Sequence, residues 1–215
     1  HSGNDNYSVL KIIENKINTA TSPISILFPP GVFGVSVDSE YAVNISGGSS
    51  FSIIGNKTEI QITTGLGSVF KIEDCDNWLL QGVSFMCNQS TASGFHELAI
   101  TDCKNFDYKD STIRECGGYG IGLQGDSTAS YENCSIESID IIKSGADGID
   151  FKNNEGTNKA ISLRDIYIED PSWLDDLKAG MDIRGPATVS NINIVFKNNS
   201  NNMVGLRTRQ TVSNL

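Results

Sequence analysis

Two aspartates with basic residues close behind them are the residues whose types and spacing best suit chemistry. Asp150 lies in the phrase Gly-Ile-Asp-Phe at 148–151, and Asp182 lies in Gly-Met-Asp-Ile at 180–183. Lys152 and Arg184 directly follow these two phrases. In the next copy, at 205–208, Arg207 takes the place of the acid and Arg209 directly follows. If the copies stack as neighbouring strands, the two carboxyl groups lie about 4.8 Å apart.

This pair of carboxyl groups supports three interpretations. A separation of about 5 Å is the one that retaining glycoside hydrolysis uses, with one group as acid and base and the other as nucleophile. Carboxylate oxygens are also the ligands that Ca²⁺ prefers, so the pair could instead bind calcium. Mixed charges on a solvated sheet also arise as a balanced surface that discourages edge-to-edge aggregation. We carry forward Asp150 and Asp182 as candidate catalytic residues, with the four basic residues holding anionic groups of a substrate.

Other polar residues are weaker candidates. Trp173 lies in the long connection 169–178, where it either stacks on a sugar ring or holds the connection against the sheet. Glu137, Glu169 and Arg114 are expected in one outward column, which we interpret as a surface ladder of little energetic consequence. His96 precedes a strand at a turn, and a lone histidine there is expected to be solvated and not catalytic.

The phrase that contains the aspartates recurs along the chain, and its recurrence predicts the fold. Copies lie at 69–72, 97–100, 120–123, 148–151, 180–183 and 205–208, at steps of 28, 23, 28, 32 and 25 residues. A second phrase, whose steps are expected to drift in parallel, is centred on Phe85, Ile113, Ile136, Ile168 and Ile194. Each copy alternates apolar and polar residues, which indicates a half-buried strand. A repeat of this length is typical of stacked coils, so we predict an all-β protein with a parallel β-helix.

Stacking turns each position of the phrase into a column on the solenoid surface. The apolar positions must face inward, so the residues between and after them face outward. One outward column is predicted to read Lys71, Ala99, Gly122, Asp150, Asp182 and Arg207. The neighbouring column is predicted to read Glu73, Thr101, Gln124, Lys152, Arg184 and Arg209. Charge is therefore concentrated on the last three coils.

The chain is predicted to form one domain over residues 1–215. Residues 8–18 predict an amphipathic helix that Asn6 or Ser8 caps and that closes the N-terminal end of the solenoid. Its expected apolar face is Val9, Ile12, Ile13 and Ile17. Coils are expected from about residue 22 to residue 215. Because the last residues repeat 189–192 and would leave an uncovered strand edge, we predict a fragment of a longer chain.

Composition and charge exclude some classes of function. The 215 residues carry a net charge of −10 at a pI of about 4.6, whereas a nucleic-acid partner requires a basic surface. The sequence has no run of about 18 apolar residues, so membrane insertion is not expected. The five cysteines are expected to be free, buried thiols, with Cys75 and Cys103 stacked at a corner. A cysteine metal site is not expected, because no CxxC spacing occurs.

The N-terminal region resembles the opening of the pectate-lyase superfamily. Phe28-Pro29-Pro30-Gly31-Val32-Phe33 is similar to the YFPPGxY-like strand-turn-strand of that family. Asn4-Asp5-Asn6 stands where the family has an Asp-rich turn before its helix, although the Gly-Asp-Gly of that turn is missing. Ser52-Ile53-Ile54-Gly55-Asn56 is similar to the IxGN-type first coil.

The resemblance implies a right-handed, single-stranded parallel β-helix, as in polysaccharide lyases, hydrolases, epimerases and phage tailspikes. The chain is most similar to a phage tailspike or tail depolymerase, which implies a homotrimer. For a lyase, the resemblance implies that Asp150 and Asp182 hold Ca²⁺ and that Arg184 or Arg207 acts as base.

We therefore predict an extracellular protein, in a virion tail or secreted, that recognises polysaccharide and cleaves it as a glycosidase or lyase. The basic residues beside the aspartates suit an acidic glycan, and no cofactor is expected unless Asp150 and Asp182 bind calcium. Two alternatives remain open: a non-enzymatic structural or adhesin β-helix, and a secreted bacterial polysaccharide lyase or epimerase.

Overall fold

A computed structural model describes residues 5–37, 41–65, 67–88, 94–125, 128–152, 157–174, 178–197, 204–208 and 212–213 of the chain. One helix, α1, spans Tyr7–Asn18, and strands make up the other regular elements. The strands are β1 Ile24–Leu27, β2 Gly31–Ser36, β3 Tyr41–Ser46, β4 Ser49–Thr64, β5 Ser68–Glu73, β6 Asp76–Met86, β7 His96–Thr101, β8 Lys104–Cys116, β9 Tyr119–Gln124, β10 Ser130–Ser144, β11 Ile149–Phe151, β12 Thr157–Glu169, β13 Ala179–Ile183, β14 Ala187–Val195, β15 Val204–Thr208 and β16 Val212–Ser213.

Two parallel sheets form a solenoid of about six turns. Sheet A contains β1 and the even-numbered strands in the order β1-β4-β6-β8-β10-β12-β14-β16, with β2 also paired to β4. Sheet B contains the other odd-numbered strands in the order β3-β5-β7-β9-β11-β13-β15. Each strand therefore pairs with its equivalents one coil before and after. The predicted all-β parallel β-helix with a short N-terminal helix is confirmed, and the architecture is consistent with right-handed winding.

Inward side chains from both sheets fill the solenoid with one continuous apolar core. Aromatic rings stack along the coil axis, where Trp78 lies 5.9 Å from Phe51 and 4.3 Å from Phe106 between ring centroids. The ring of Phe70 from β5 meets that of Phe85 from β6 at 5.5 Å, which joins sheet B to sheet A across the interior. Burial of this apolar surface is the main term that holds the coils together.

Left-handed residues bend the long strands of sheet A at regular places. Asn77, Asn105 and Asn133 have φ values of 57°, 49° and 54° respectively. Asparagine tolerates this conformation better than most other residues. The amide of Asn133 donates to Asn105 Oδ1 at 2.9 Å, and the amide of Asn105 donates to Asp76 Oδ1 at 2.7 Å. The bends therefore stack into a polar ladder that fixes one corner of each coil.

The register of sheet A differs from the predicted one. Ile141 of β10, and not Ile136, pairs with Ile113 and Ile168. Equivalent residues of sheet A are therefore separated by nearly constant numbers of residues along the chain, and only in sheet B do these separations vary widely. Glu137 pairs with Arg164, so the predicted column that joined it to Glu169 and Arg114 was wrong. The cause is the bend at Ser138, whose φ of 55° interrupts the alternation along β10.

The N-terminal helix is present, and its buried face agrees with the prediction at Ile13 and Ile17 but not at Val9 and Ile12. Leu10, Ile13 and Ile17 are buried against the first coil, whereas Val9 and Ile12 are 46% and 57% exposed. The side chain of Asn6 does not cap the helix, because its amide donates to Gly34 O at 3.1 Å. The helix face is thus set by the position of the coil beneath it.

The cysteine and membrane predictions agree with the described residues. All five cysteines are free and buried. Within the described part of the chain, no helix is long and apolar enough to cross a membrane.

Candidate functional site

The register of sheet B brings the two predicted aspartates together. Asp150 of β11 pairs directly with Asp182 of β13. On one side Asp150 pairs with Gly122, and on the other Asp182 pairs with Arg207. The predicted outward column therefore exists on the outer face of sheet B.

A third carboxyl group completes the site. Asp147 lies in the turn before β11, is 1% exposed, and accepts a hydrogen bond from the backbone N–H of Ala179. Asp147, Asp150 and Asp182 each place one carboxylate oxygen within 4.8 Å of the others. We call these three residues the acidic triad.

Basic side chains cover the acidic triad. Lys152 forms an ion pair with Asp150 Oδ2. Arg184 Nη2 and Arg207 Nη1 lie 2.9 Å and 3.3 Å from Asp182 Oδ2. Asp150 and Asp182 are both 0% exposed, so a substrate reaches the carboxyl groups only when these basic side chains move. The three basic side chains are each 28% exposed, so each also contacts solvent.

His96 contacts the triad, which corrects the prediction that it is solvated. It is 9% exposed, and its Nε2 lies 3.3 Å from Asp150 Oδ2. Its ring stacks on that of Tyr119 at 4.5 Å between centroids. Strict alternation would turn His96 inward and Glu97 outward. The structure reverses both because the chain is still turning the corner as β7 begins.

Gly122 provides the space that His96 occupies. A Cβ atom at position 122 would lie 2.2 Å from Cδ2 of the His96 ring. Any larger residue at this position of the column would therefore displace the imidazole from Asp150.

We expect Gly122→Ala to move the His96 ring away from Asp150 without unfolding the solenoid. The sequence has two histidines, so the His96 ring signals are readily assigned by NMR. The expected result is loss of the upfield ring-current shift that Tyr119 imposes on His96. Gly94→Ala is the matched control, because open space surrounds that position. Unchanged His96 signals in Gly122→Ala would contradict the arrangement.

Two neighbouring acids of the triad have pKa values that move in opposite directions. Burial, helped by the charges of Asp150 and Asp182, raises the pKa of Asp147 to about 6 against the hydrogen bond from Ala179. Burial also acts to raise the pKa of Asp150, but His96 and Lys152 outweigh it, and the net pKa lies below the usual value. At a pH between the two pKa values, Asp147 therefore carries a proton while Asp150 is ionised. This pattern is typical of acid–base pairs.

The triad offers three oxygens to a cation, but its surroundings compete with one. Lys152, Arg184 and Arg207 already place positive charge on Asp150 and Asp182. A divalent ion would have to displace or repel these groups. The arrangement thus fits acid–base chemistry and anion binding better than it fits calcium, whose presence stays a prediction.

Other residues near the triad were not predicted from the sequence. Tyr119 lies under two ammonium groups, with Lys152 Nζ 4.7 Å and Lys178 Nζ 5.5 Å from its ring centroid. His96, Tyr119 and Asp147 occupy corresponding places at the start of the phrase copies. Each is the residue directly before a copy, so a phrase that is one residue longer at its N-terminal end includes all three.

Trp173, a predicted substrate-binding residue, is not part of this cluster in the described structure. Trp173 donates its indole N–H to Cys116 O at 3.4 Å, and Lys143 Nζ lies 5.9 Å from its ring centroid. These contacts hold the long connection against the corner, and a role in sugar stacking stays a prediction. Arg209 lies outside the described residues.

No model of a known protein family, no curated protein and no solved structure matches this chain. The site must therefore be interpreted from its own geometry.

Proposed function

We propose that this β-solenoid binds an anionic polysaccharide along the outer face of sheet B and cleaves it at the acidic triad. The observation that supports the proposal most directly is the pairing of Asp150 with Asp182, beside Asp147 and beneath three basic side chains. Acid groups for bond cleavage and cations for an anionic sugar thus share one wall.

Substrate binding would begin with an exchange of ion pairs. Carboxylate or other anionic groups on the sugar would draw Lys152, Arg184 and Arg207 away from the aspartates. The basic side chains would then hold the polymer, and the carboxyl groups would become accessible. The regular spacing of the coils suits a polymer, because equivalent side chains of successive coils recur about every 4.8 Å along the solenoid.

The environments of the carboxyl groups suggest a division of roles. Asp150, ionised and oriented by His96, would attack the anomeric carbon and form a glycosyl ester. Asp147, protonated, would donate its proton to the leaving oxygen and later accept one from the water that cleaves the ester. Before substrate binds, Asp182 would hold Arg184 and Arg207 in place for the exchange of ion pairs. This differs from the sequence-based assignment, in which Asp150 and Asp182 formed the pair.

Incubation with capsular, O-antigen and pectic polysaccharides tests the proposal. Chain length and reducing ends are measured together with absorbance of unsaturated ends. Shortening with new reducing ends and no unsaturated ends supports hydrolysis. Unsaturated ends would instead indicate elimination, and loss of the elimination activity with a chelator would restore the calcium hypothesis.

A non-enzymatic binding module is the second candidate, because all three triad carboxyl groups are buried and those of Asp150 and Asp182 are ion-paired. Under this alternative the same basic residues hold a glycan that is never cut. Retention of a polysaccharide without any change in its chain length would favour the binding module.

The pH dependence of cleavage should reflect Asp147. Its raised pKa, about 6, means that activity should fall above that pH as the donated proton is lost. Activity should also fall in strong acid, where Asp150 gains a proton. In Asp147→Asn the fall above pH 6 should disappear along with most activity. Aryl glycosides with good leaving groups should give a rapid burst of released aryl alcohol, since ester formation then needs no proton donor, followed by slow turnover, since Asp147 no longer accepts a proton from the attacking water. A full alkaline decline in Asp147→Asn would contradict the assignment.

A further inference from the structure

A second cluster of reactive side chains lies inside the solenoid, away from the acidic triad. It consists of Cys87 after β6, Glu97 of β7 and Cys116 at the end of β8. All three residues are buried, with exposures of 2%, 0% and 0% respectively. Their two sulfur atoms and one carboxylate oxygen all lie within 4.8 Å of one another. We call them the interior cluster.

The carboxyl group of Glu97 makes no hydrogen bond of ordinary geometry in the described structure, although the Cys87 thiol and the Val69 backbone lie close enough to lower its pKa against the effect of burial. Both Oε1 and Oε2 are buried and unsatisfied. A buried polar group without a partner is costly, and buried carboxyl groups are therefore paired or bound to metal in most proteins. The two thiols are the groups that this carboxyl group faces.

The cysteines divide into two classes by what their sulfur atoms contact. Cys75, Cys103 and Cys134 lie 3.1 Å, 3.3 Å and 3.3 Å from backbone carbonyl oxygens that accept their S–H groups. These three have ordinary partners for buried thiols. Cys87 and Cys116 instead converge on the unsatisfied carboxyl group of Glu97.

We propose that the interior cluster binds one Zn²⁺ ion through Cys87, Cys116 and Glu97. Thiolate sulfur binds zinc at about 2.3 Å and carboxylate oxygen at about 2.0–2.2 Å. Ligand atoms already within 4.8 Å of one another need only a small contraction to reach those distances. The two thiols and the Glu97 carboxyl group each lose a proton to solvent as they bind the ion, so the three anionic ligands and the zinc together carry one net negative charge. A water molecule completes the tetrahedron.

This site escaped the sequence-based analysis because its ligands come from three separate segments: the residue after β6, the start of β7 and the end of β8. The missing CxxC spacing excluded only a site built within one short segment. The corner between sheet A and sheet B brings the ligands together from successive coils. Because the site is enclosed, the ion must enter while the chain folds.

Refolding with metal tests the proposal. The full chain is unfolded in guanidinium chloride with a thiol reductant, then refolded with excess Zn²⁺, with Co²⁺ or with EDTA. Free metal is removed by gel filtration. We expect about one zinc ion per chain by elemental analysis, and zinc should raise the unfolding midpoint. The Co²⁺ form should show a thiolate-to-cobalt charge-transfer band. Wild-type protein that keeps less than about one tenth of an equivalent and lacks this band would overturn the proposal.

Matched cysteine variants separate a specific site from adventitious binding. Cys87→Ser combined with Cys116→Ser should abolish zinc retention and the cobalt band. Cys75→Ser combined with Cys134→Ser should keep both, because those thiols bind backbone carbonyls. Glu97→Gln should weaken retention under EDTA competition. Equal loss of zinc in both double variants, or equal retention in both, would contradict the assignment.

Discussion

Asp150→Asn is expected to lower the rate of polysaccharide cleavage by roughly 10²–10⁴-fold, since it removes the charge of the proposed nucleophile. Asparagine has the shape of aspartate, and the change leaves Lys152, whose side chain is 28% exposed, free to turn to solvent. The fold should therefore persist. Initial rates of reducing-end formation measure the effect, and circular dichroism at increasing temperature checks the fold.

Asp140→Asn is the matched control for this experiment. Asp140 is an exposed aspartate of β10 on sheet A, which is the opposite wall from the triad. Its replacement should leave cleavage unchanged. If Asp150→Asn cleaves at the wild-type rate but binds polysaccharide more weakly, then Asp150 serves recognition alone and the proposed chemistry fails.

Phe85→Ala should be the most destabilising change in the core, at a cost of about 3–5 kcal/mol. Phe85 is 0% exposed and contacts Phe70 of the opposite sheet, so truncation leaves a cavity between the two walls. A whole domain is stable by only about 5–15 kcal/mol, so a large part of the folding free energy would be lost. Urea unfolding followed by tryptophan fluorescence measures the change.

Leu27→Ala is the control for the core truncation. Leu27 is 74% exposed on β1, and surface substitutions of this kind usually change stability by less than about 0.5 kcal/mol. A Phe85→Ala variant that unfolds at the wild-type urea concentration would show that the two sheets do not depend on this contact.

The register of sheet B could be predicted from the sequence because its strands are short and alternate regularly between inward apolar and outward polar residues. Ile149 and Met181 face inward at equivalent positions, so the pairing of Asp150 with Asp182 follows from alternation alone. Sheet A was harder, since β10 contains several isoleucines and a bend at Ser138. The sequence does not mark which isoleucine lies on which side of such a bend.

Residues at corners could not be assigned from alternation. His96 and Glu97 point the opposite way from the simple expectation, and Asp147 lies in a turn that belongs to no strand. Side-chain direction at these places depends on how the backbone turns between walls. The helix face differed for a related reason, because the coil beneath α1 determines whether Leu10 or Val9 is covered.

The unequal regularity of the two sheets has an evolutionary consequence. The connections that lead into sheet B vary from two residues before β9 to nine before β13, while sheet A keeps an almost constant repeat. Insertions and deletions can therefore accumulate beside the acidic triad without changing the pairing that holds the opposite wall. New binding specificities can arise on such a scaffold by loop replacement, with the inherited coils left unaltered.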